Sequence, residues 1–288
     1  MYIDSHIHIA LMGERTKEYR DKILKGDLFP LLEVLKNYKN KNIIYLRDGG
    51  DRYGISLKAR ELGKELGIVL KTPVYAFSKK GKYGNFLGIP ISGMDDFNRE
   101  FNNLLKLKPD HFKLIISGIV DFNCPNRVTE ELNFKFDEIY YMIQKAKDKN
   151  LRVMVHANSS KAVQAAVKAG ADTVEHGYFI LKEELYLMAE NDVIWVPTLS
   201  PLGNLIEKED KKFKNQLENI RRIYLKHIEN IKEAFKIGVK VAAGSDAGTY
   251  GVDHAEGFFN EINHLKKTGL DEAKIMDIAV KNGIRLFL

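Results

Sequence analysis

Leu151-Arg152-Val153-Met154-Val155-His156-Ala157-Asn158 is the stretch on which the fold turns. It is an almost unbroken apolar run that ends in a histidine, and such runs suit a parallel strand covered on both faces. A helical pattern follows at 160–168 and stops before Gly170, as at a helix C-cap. The next strand is read at 173–176, the next helix at 182–190 and the next strand at 193–197. Outward from there the alternation continues, with strands at 2–8, 43–47, 68–75, 111–116 and 239–244. Helices are predicted at 28–39, 54–66, 95–106, 135–149, 207–236, 255–267 and 271–286, with Gly67 and Gly238 closing two of them. Eight strand–helix units in 288 residues predict an α/β fold, a (β/α)8 TIM barrel, as a single domain over 1–288. The doubly wound open sheet is the alternative fold. It is disfavoured because no glycine-rich phosphate fingerprint follows the first strand.

Composition narrows the function classes. The chain is 44% hydrophobic, enough for a large core without disulfides. Its one cysteine, Cys124, excludes an intramolecular disulfide and suits a reducing, cytoplasmic setting. No apolar run approaches a membrane span, and the N-terminus lacks the charged-then-apolar pattern of a signal peptide. Net charge is +6, but the lysines are interspersed with acids and no basic block is interleaved with aromatics. The expected partner is therefore a small molecule, not nucleic acid or membrane, and a homo-oligomer is compatible.

The ends of the strands carry the chemistry. In Tyr2-Ile3-Asp4-Ser5-His6-Ile7-His8, alternation puts His6 and His8 on one face with Cα atoms ~6.5–7 Å apart, close enough to share one metal ion. Lys113 sits inside the apolar run His111–Ile116, where a bare ammonium is costly unless paired, neutral or modified. His156 and His176 end two further strands, and Asp246 lies in Ala243-Gly244-Ser245-Asp246-Ala247-Gly248. Each is unremarkable alone: a strand-end histidine is commonly structural, and an aspartate among small residues commonly caps a helix. A barrel, however, brings all six to the same C-terminal face.

These residues together resemble the amidohydrolase superfamily. Its signature is HxH on strand 1, Lys on strand 4, His on strands 5 and 6, and Asp on strand 8. Arg47-Asp48-Gly49-Gly50, Glu175-His176-Gly177, Val196-Pro197-Thr198-Leu199 and Gly244–Gly248 followed by His254 are similar to the branch of imidazolonepropionase-like proteins and Xaa-Pro or Xaa-Arg dipeptidases. The resemblance implies two divalent ions, Zn²⁺ suiting the ligands best. His6, His8 and Asp246 would hold one and His156 and His176 the other, with Lys113 carboxylated to a bridging carbamate. It further implies a metal-bridging hydroxide that attacks a carbonyl, with Asp246 as general base and then acid. Three departures are expected: no flanking β-sandwich, a lysine-rich loop in place of the Gly-Gly-His after strand 3, and Asn158 where a second histidine is common.

The expected reaction is cleavage of an amide C–N bond in a dipeptide, N-acyl amino acid or cyclic amide. Lactone, ester or phosphotriester hydrolysis at the same site is an alternative, and so is a barrel that binds metal or ligand without turnover. Candidate substrate contacts are Tyr178, His254, Lys82, Tyr83 and Arg47, against the simpler readings of packing, solvation or an Arg47–Asp48 pair. His111 and Trp195 are expected in the core, and His227 and His264 on solvated helix faces. Cys124 lies on a face loop beside Pro125 with no neighbouring base.

Overall fold

The computed structural model describes residues 1–124 and 126–288; Pro125 lies outside the described residues. Nine strands are regular: β1 (Tyr2–Ile7), β2 (Ile43–Asp48), β3 (Val69–Lys71), β4 (Ala76–Lys79), β5 (Gly88–Ile91), β6 (Phe112–Ile115), β7 (Val153–Ser159), β8 (Thr173–Phe179) and β9 (Ile194–Val196). All pairings between them are parallel: β1–β2–β3 form one sheet, and β5–β4–β6–β7–β8–β9 the other.

Two irregular joints turn these sheets into a barrel. The first lies between β3 and β4, one strand position that Pro73 and Val74 (φ +67°) break in two. Proline has no N–H for a ladder, so β3 pairs with β2 and β4 pairs with β6. The second is residues 240–247. Trp195 N–H donates to Lys240 O (2.8 Å), Ala242 N–H to Trp195 O (2.9 Å), Ser5 N–H to Ala243 O (2.8 Å) and Asp246 N–H to His6 O (2.8 Å). This segment joins β9 to β1 and closes a ring of eight strand positions. The strand expected at 239–244 is thus present only as isolated bridges. Its small residues explain why: a Cβ on Gly244 would lie 2.4 Å from Val196 and 2.8 Å from His6, so the backbone runs too close to its neighbours for a side chain.

Helices α1 (Thr16–Leu24), α2 (Phe29–Asn40), α3 (Ile55–Leu66), α4 (Met94–Lys106), α5 (Phe136–Lys147), α6 (Ser160–Lys168), α7 (Lys182–Glu190), α8 (Ser200–Glu207), α9 (Leu217–Ile237), α10 (Glu256–Lys266) and α11 (Glu272–Met276) alternate with them. Local chemistry sets their ends. Ser159 Oγ accepts from Ala162 N–H to start α6, and Gly67 and Gly238, both at positive φ, terminate α3 and α9. On α9, Ile220, Ile223, Tyr224, His227, Ile228, Ile231 and Ala234 are buried at helical spacing, which fixes the face laid on the barrel.

Three expectations require correction. The helix expected at 207–236 starts only at Leu217, as α9; residues 208–216 form a turn that Asp210 caps, and α8 ahead of them was not expected. The lysine-rich loop expected after strand 3 leads into a short strand, β5, for which no prediction was made. Helix α1, for which the periodicity gave no prediction, follows β1 directly. His227 and His264 are buried rather than solvated: His227 Nε2 meets Pro197 O at 2.9 Å, and His264 lies between Tyr224 Oη (2.9 Å) and Asn204 Oδ1 (3.1 Å). Among the described residues, no helix is long and apolar enough to cross a membrane.

Candidate metal centre and active-site cavity

Strand ends converge at one face of the barrel. His6 and His8 leave β1 on the same side, and their Nε2 atoms lie 3.3 Å apart. Asp246 Oδ1 is 3.6 Å from His6 Nε2 and 3.4 Å from His8 Nε2. Donors each ~2.0–2.1 Å from one tetrahedral ion are ~3.3 Å from each other, so the three atoms have the spacing of a shared ion. The His176 ring sits 5.0 Å from that of His6, and the His156 ring 4.7 Å from that of His176. Lys113 lies under them, 1% exposed, on β6.

Buried partners aim these groups. Glu175 Oε2 accepts from His6 Nδ1 at 2.6 Å, which leaves the lone pair of His6 on Nε2, facing His8 and Asp246. Arg47 Nη1 donates to Glu175 Oε1 at 3.1 Å and its Nη2 to Thr173 Oγ1 at 3.0 Å. His176 Nδ1 faces Thr198 Oγ1 at 2.7 Å, and Trp195 Nε1 donates to His176 O at 2.9 Å. His156 Nε2 meets Gly118 O at 3.2 Å, which leaves its Nδ1 as the lone-pair nitrogen. Asp4 accepts from Ser245 Oγ (2.6 Å) and Ser245 N–H (2.9 Å), tying the segment before Asp246 to β1. Gly49 is obligatory for space, because a Cβ there would stand 2.4 Å from the His8 ring.

The backbone is also unusual here. His176 (φ +67°), Thr198 (φ +51°) and Asp246 (φ +58°) all occupy the left-handed region, which non-glycine residues rarely adopt and which is worst for a β-branched threonine. Strain of this kind persists where surrounding contacts over-determine the chain, commonly at functional sites.

Electrostatics agree with a set of electron-pair donors. Burial pushes the His8 and His156 imidazoles down to about 3, and those of His6 and His176 well below the ordinary histidine range. All four are therefore neutral at pH 7 and can donate lone pairs. Burial lowers the Lys113 ammonium to about 8 and raises the Asp246 carboxyl well above its usual range. Lys113 Nζ and Asp246 Oδ1 are buried with no hydrogen-bond partner. Orphaned groups of this kind are costly, and a divalent cation beside them would satisfy both Asp246 Oδ1 and the imidazole lone pairs. The residues present therefore fit a bound metal.

A small inner chamber of about 30 Å³, bordered by His8, Lys113, His156, His176 and Asp246, opens past Leu11, Tyr83 and Phe86 into an outer cavity of about 580 Å³. Of the sequence-derived substrate contacts, Tyr83 and Tyr178 line this outer cavity. Tyr83 packs its ring 5.2 Å from that of His156, and Tyr178 Oη donates to Thr198 O at 2.8 Å. The other three are elsewhere. Arg47 is held beneath the site by Glu175 and Thr173 and does not pair with Asp48. His254 is fixed between Leu11 O (2.9 Å) and Tyr38 Oη (3.1 Å). Lys82 is exposed and does not border the cavity. His111 is buried, its Nε2 3.1 Å from Asp48 O. Sequence reasoning missed Glu175, Thr198 and Asp4 as partners of the donor set. The one available signal was Glu175 immediately before His176 on a strand, which sends the two side chains to opposite faces and Glu175 toward the β1 side.

The chain belongs to the amidohydrolase family, whose model matches residues 50–287. His6 and His8 lie ahead of the matched span. An uncharacterized protein of Mycobacterium tuberculosis is 29% identical over 136 residues, which is 46% of this chain and 36% of that protein. Ochratoxinase of Aspergillus niger is 25% identical over 119 residues, 41% of this chain and 25% of that enzyme. These matches thus span about a third or less of the relatives' own length. Among solved structures, a prolidase complexed with N-methylphosphonate-L-proline superposes with a TM-score of 0.80 at 21% identity, covering 99% of this chain and 73% of that one. The A. niger ochratoxinase structure gives 0.77 at 18% identity, covering 99% and 70%. At these identities the likeness is one of fold.

Proposed function

We propose that this protein is a metal-dependent hydrolase that cleaves an amide C–N bond, of a dipeptide, an N-acyl amino acid or a cyclic amide. The observation that carries the reading is the convergence of His6 Nε2, His8 Nε2 and Asp246 Oδ1 within 4.8 Å of one another beside an unpartnered, buried Lys113. His6, His8 and Asp246 would hold one divalent ion, and His156 and His176 a second. Lys113 is suited to carboxylation: its neutral amine would add to CO2 with formation of an N–C bond and loss of one proton, and the resulting carbamate would be a further anionic ligand for the metal. Bound there, two divalent ions supply the acidity that ionises a water near neutral pH and the charge that polarises a carbonyl.

The chain's own groups do the remainder. Asp246 takes the proton of the attacking water on a carboxylate oxygen and delivers it to the departing nitrogen as the C–N bond breaks. Glu175 and Thr198 keep two imidazoles oriented throughout. Leu11, Tyr83 and Phe86 narrow the passage to the inner chamber and limit the entry of bulk water. The test is metal analysis of the purified protein together with a screen of amides, lactones and esters. Two equivalents of zinc-like metal per chain with amide turnover support the reading. A protein that binds no metal after incubation with zinc and bicarbonate overturns it.

A further inference from the structure

We infer that the substrate is an amide that joins a bulky apolar group to a part bearing a carboxylate, and that Arg20 reads that carboxylate. The inference rests on the amide-hydrolase reading and narrows it to N-acyl amino acids with large acyl groups, in preference to free dipeptides.

The walls of the outer cavity set the first half. Phe86, Ile119, Phe122, Leu202, Leu205 and Phe213 line it, and Phe86 and Ile119 remain 44% and 42% exposed at its rim. A volume of about 580 Å³ suits a ligand of drug-like size, and apolar walls favour an apolar occupant. Among the described residues its lining contains a single carboxylate, Asp246, which already belongs to the candidate metal centre. The free ammonium of a dipeptide would enter without an acidic partner and lose its hydration.

Arg20 sets the second half. Among the described residues it is the one lysine or arginine on the cavity wall. It projects from α1, with its Nε donating to Ala10 O at 2.8 Å and its guanidinium carbon 4.7 Å from the centre of the Tyr53 ring. These contacts fix the side chain without neutralising it. No carboxylate lies within ion-pair distance among the described residues, and Nη2 is buried without a partner. With Nε spent on Ala10 O and Nη2 sealed from solvent, Nη1 is the donor that Arg20 can offer, and a positioned, unpaired guanidinium on a ligand cavity is suited to a carboxylate. Lys82, the sequence-derived candidate for this duty, points into solvent. Lys79 is also engaged, at 3.2 Å from Glu138.

The experiment compares octanoyl-L-phenylalanine, its C-terminal amide and the free dipeptide Leu-Phe on metal-loaded protein. It also measures calorimetric binding of octanoyl-D-phenylalanine and its amide, to wild type and to Arg20→Met and Arg20→Lys. Wild type should prefer the acylated acid over both other substrates. Arg20→Met should raise KM and Kd for the acids by ~10–100-fold, the loss expected for a charge-assisted hydrogen bond, with kcat little changed. Binding of the amide should be unaffected, which also establishes that the variant is folded, and Arg20→Lys should recover part of the loss. Equal loss for acid and amide, a preference for the free dipeptide, or no binding of either acylated probe overturns the inference while amide turnover itself stands. Selective binding of the acids with no hydrolysis of any amide would instead overturn the hydrolase reading and leave Arg20's role intact.

Discussion

The floor of the cavity and its wall are built on the same ring of strands but by opposite chemistry. The floor is polar and buried: its donors gather from the strand ends, and two imidazoles are aimed by buried partners, His6 by Glu175 on β8 and His176 by Thr198 just past β9. The wall is mostly apolar and comes from connecting segments, α1 and α8, with Arg20 on α1 its one lysine or arginine among the described residues. Floor residues are over-determined by the barrel, whereas wall residues depend on how loops and helices happen to pack.

The largest expected effect tests the floor. His6→Ala should remove a lone-pair donor and with it bound metal and measurable turnover. Asp246→Asn should keep more of the metal and lose ~10²–10⁴-fold in kcat, the range for removing a general acid–base group. Metal content by mass spectrometry beside single-substrate kinetics separates the two. An Asp246→Asn protein with unchanged turnover would remove that residue from the mechanism.

One step outward, Glu175→Gln alters no proposed ligand but weakens the orientation of His6 and leaves the Arg47 guanidinium unpaired. Metal affinity should fall by ~10–100-fold, as for the loss of a hydrogen-bond partner behind a metal-binding histidine. Stability of the metal-free protein should fall by about 3–5 kcal/mol, because a buried charge loses its counter-charge. Zinc titration and denaturant unfolding measure these separately. If stability drops while zinc affinity holds, Glu175 supports the fold but does not orient the metal donor.

The same contrast explains what is legible in the amino-acid sequence. Strand ends were legible because an apolar run followed by a polar residue is a one-dimensional signal, as at His156; Lys113 was legible for another reason, an ammonium inside an apolar run. Glu175 stands at a strand end too, but the significance of a carboxylate on the opposite face appears only when β8 and β1 are seen to bring it to His6 Nδ1. The wall gave no such signal. Arg20 lies in a short helix of low apolar content that the periodicity does not reveal, while Lys82, in a conspicuous lysine cluster, is turned to solvent. The strand expected at 239–244 was legible as a position but not as a regular element, because glycine and alanine there serve close approach and not pairing.

Wall and floor should also respond differently to pH. Glu261 on α10 accepts from Leu199 N–H (2.9 Å), Ser200 N–H (2.7 Å) and Ser200 Oγ (2.9 Å), anchoring the start of α8 with neutral donors only. Burial raises its carboxyl from 4.5 to about 7. A raised folded-state value means that Glu261 contributes its full stability below about pH 4.5 and loses it as pH rises through 7. Comparison with Glu261→Gln isolates this group from Asp4 and Asp48, whose carboxyls burial also raises. The stability advantage of wild type over the variant should shrink between pH 5 and pH 8, by an amount on the order of 2 kcal/mol. Melting curves at the two values check it; an advantage that grows with pH would mean that the hydrogen bonds outweigh burial at this carboxylate.

The smallest effect is expected at Lys82, and it sharpens the contrast most economically. Lys82 stands next to Tyr83, which borders the cavity, so proximity in sequence argues for a role in binding. Its side chain, however, is exposed and is not part of the cavity lining. A solvated ammonium interacts weakly with a charge outside its immediate shell, because water and salt screen it. Lys82→Ala should therefore change KM for a carboxylate-bearing amide by no more than about twofold, the scale of ordinary surface substitutions. The same substrate should respond strongly to Arg20→Met. A rise in KM at Lys82→Ala that matches the one at Arg20→Met, and that disappears at high salt, would move recognition of the anion from the buried wall to long-range attraction by the loop.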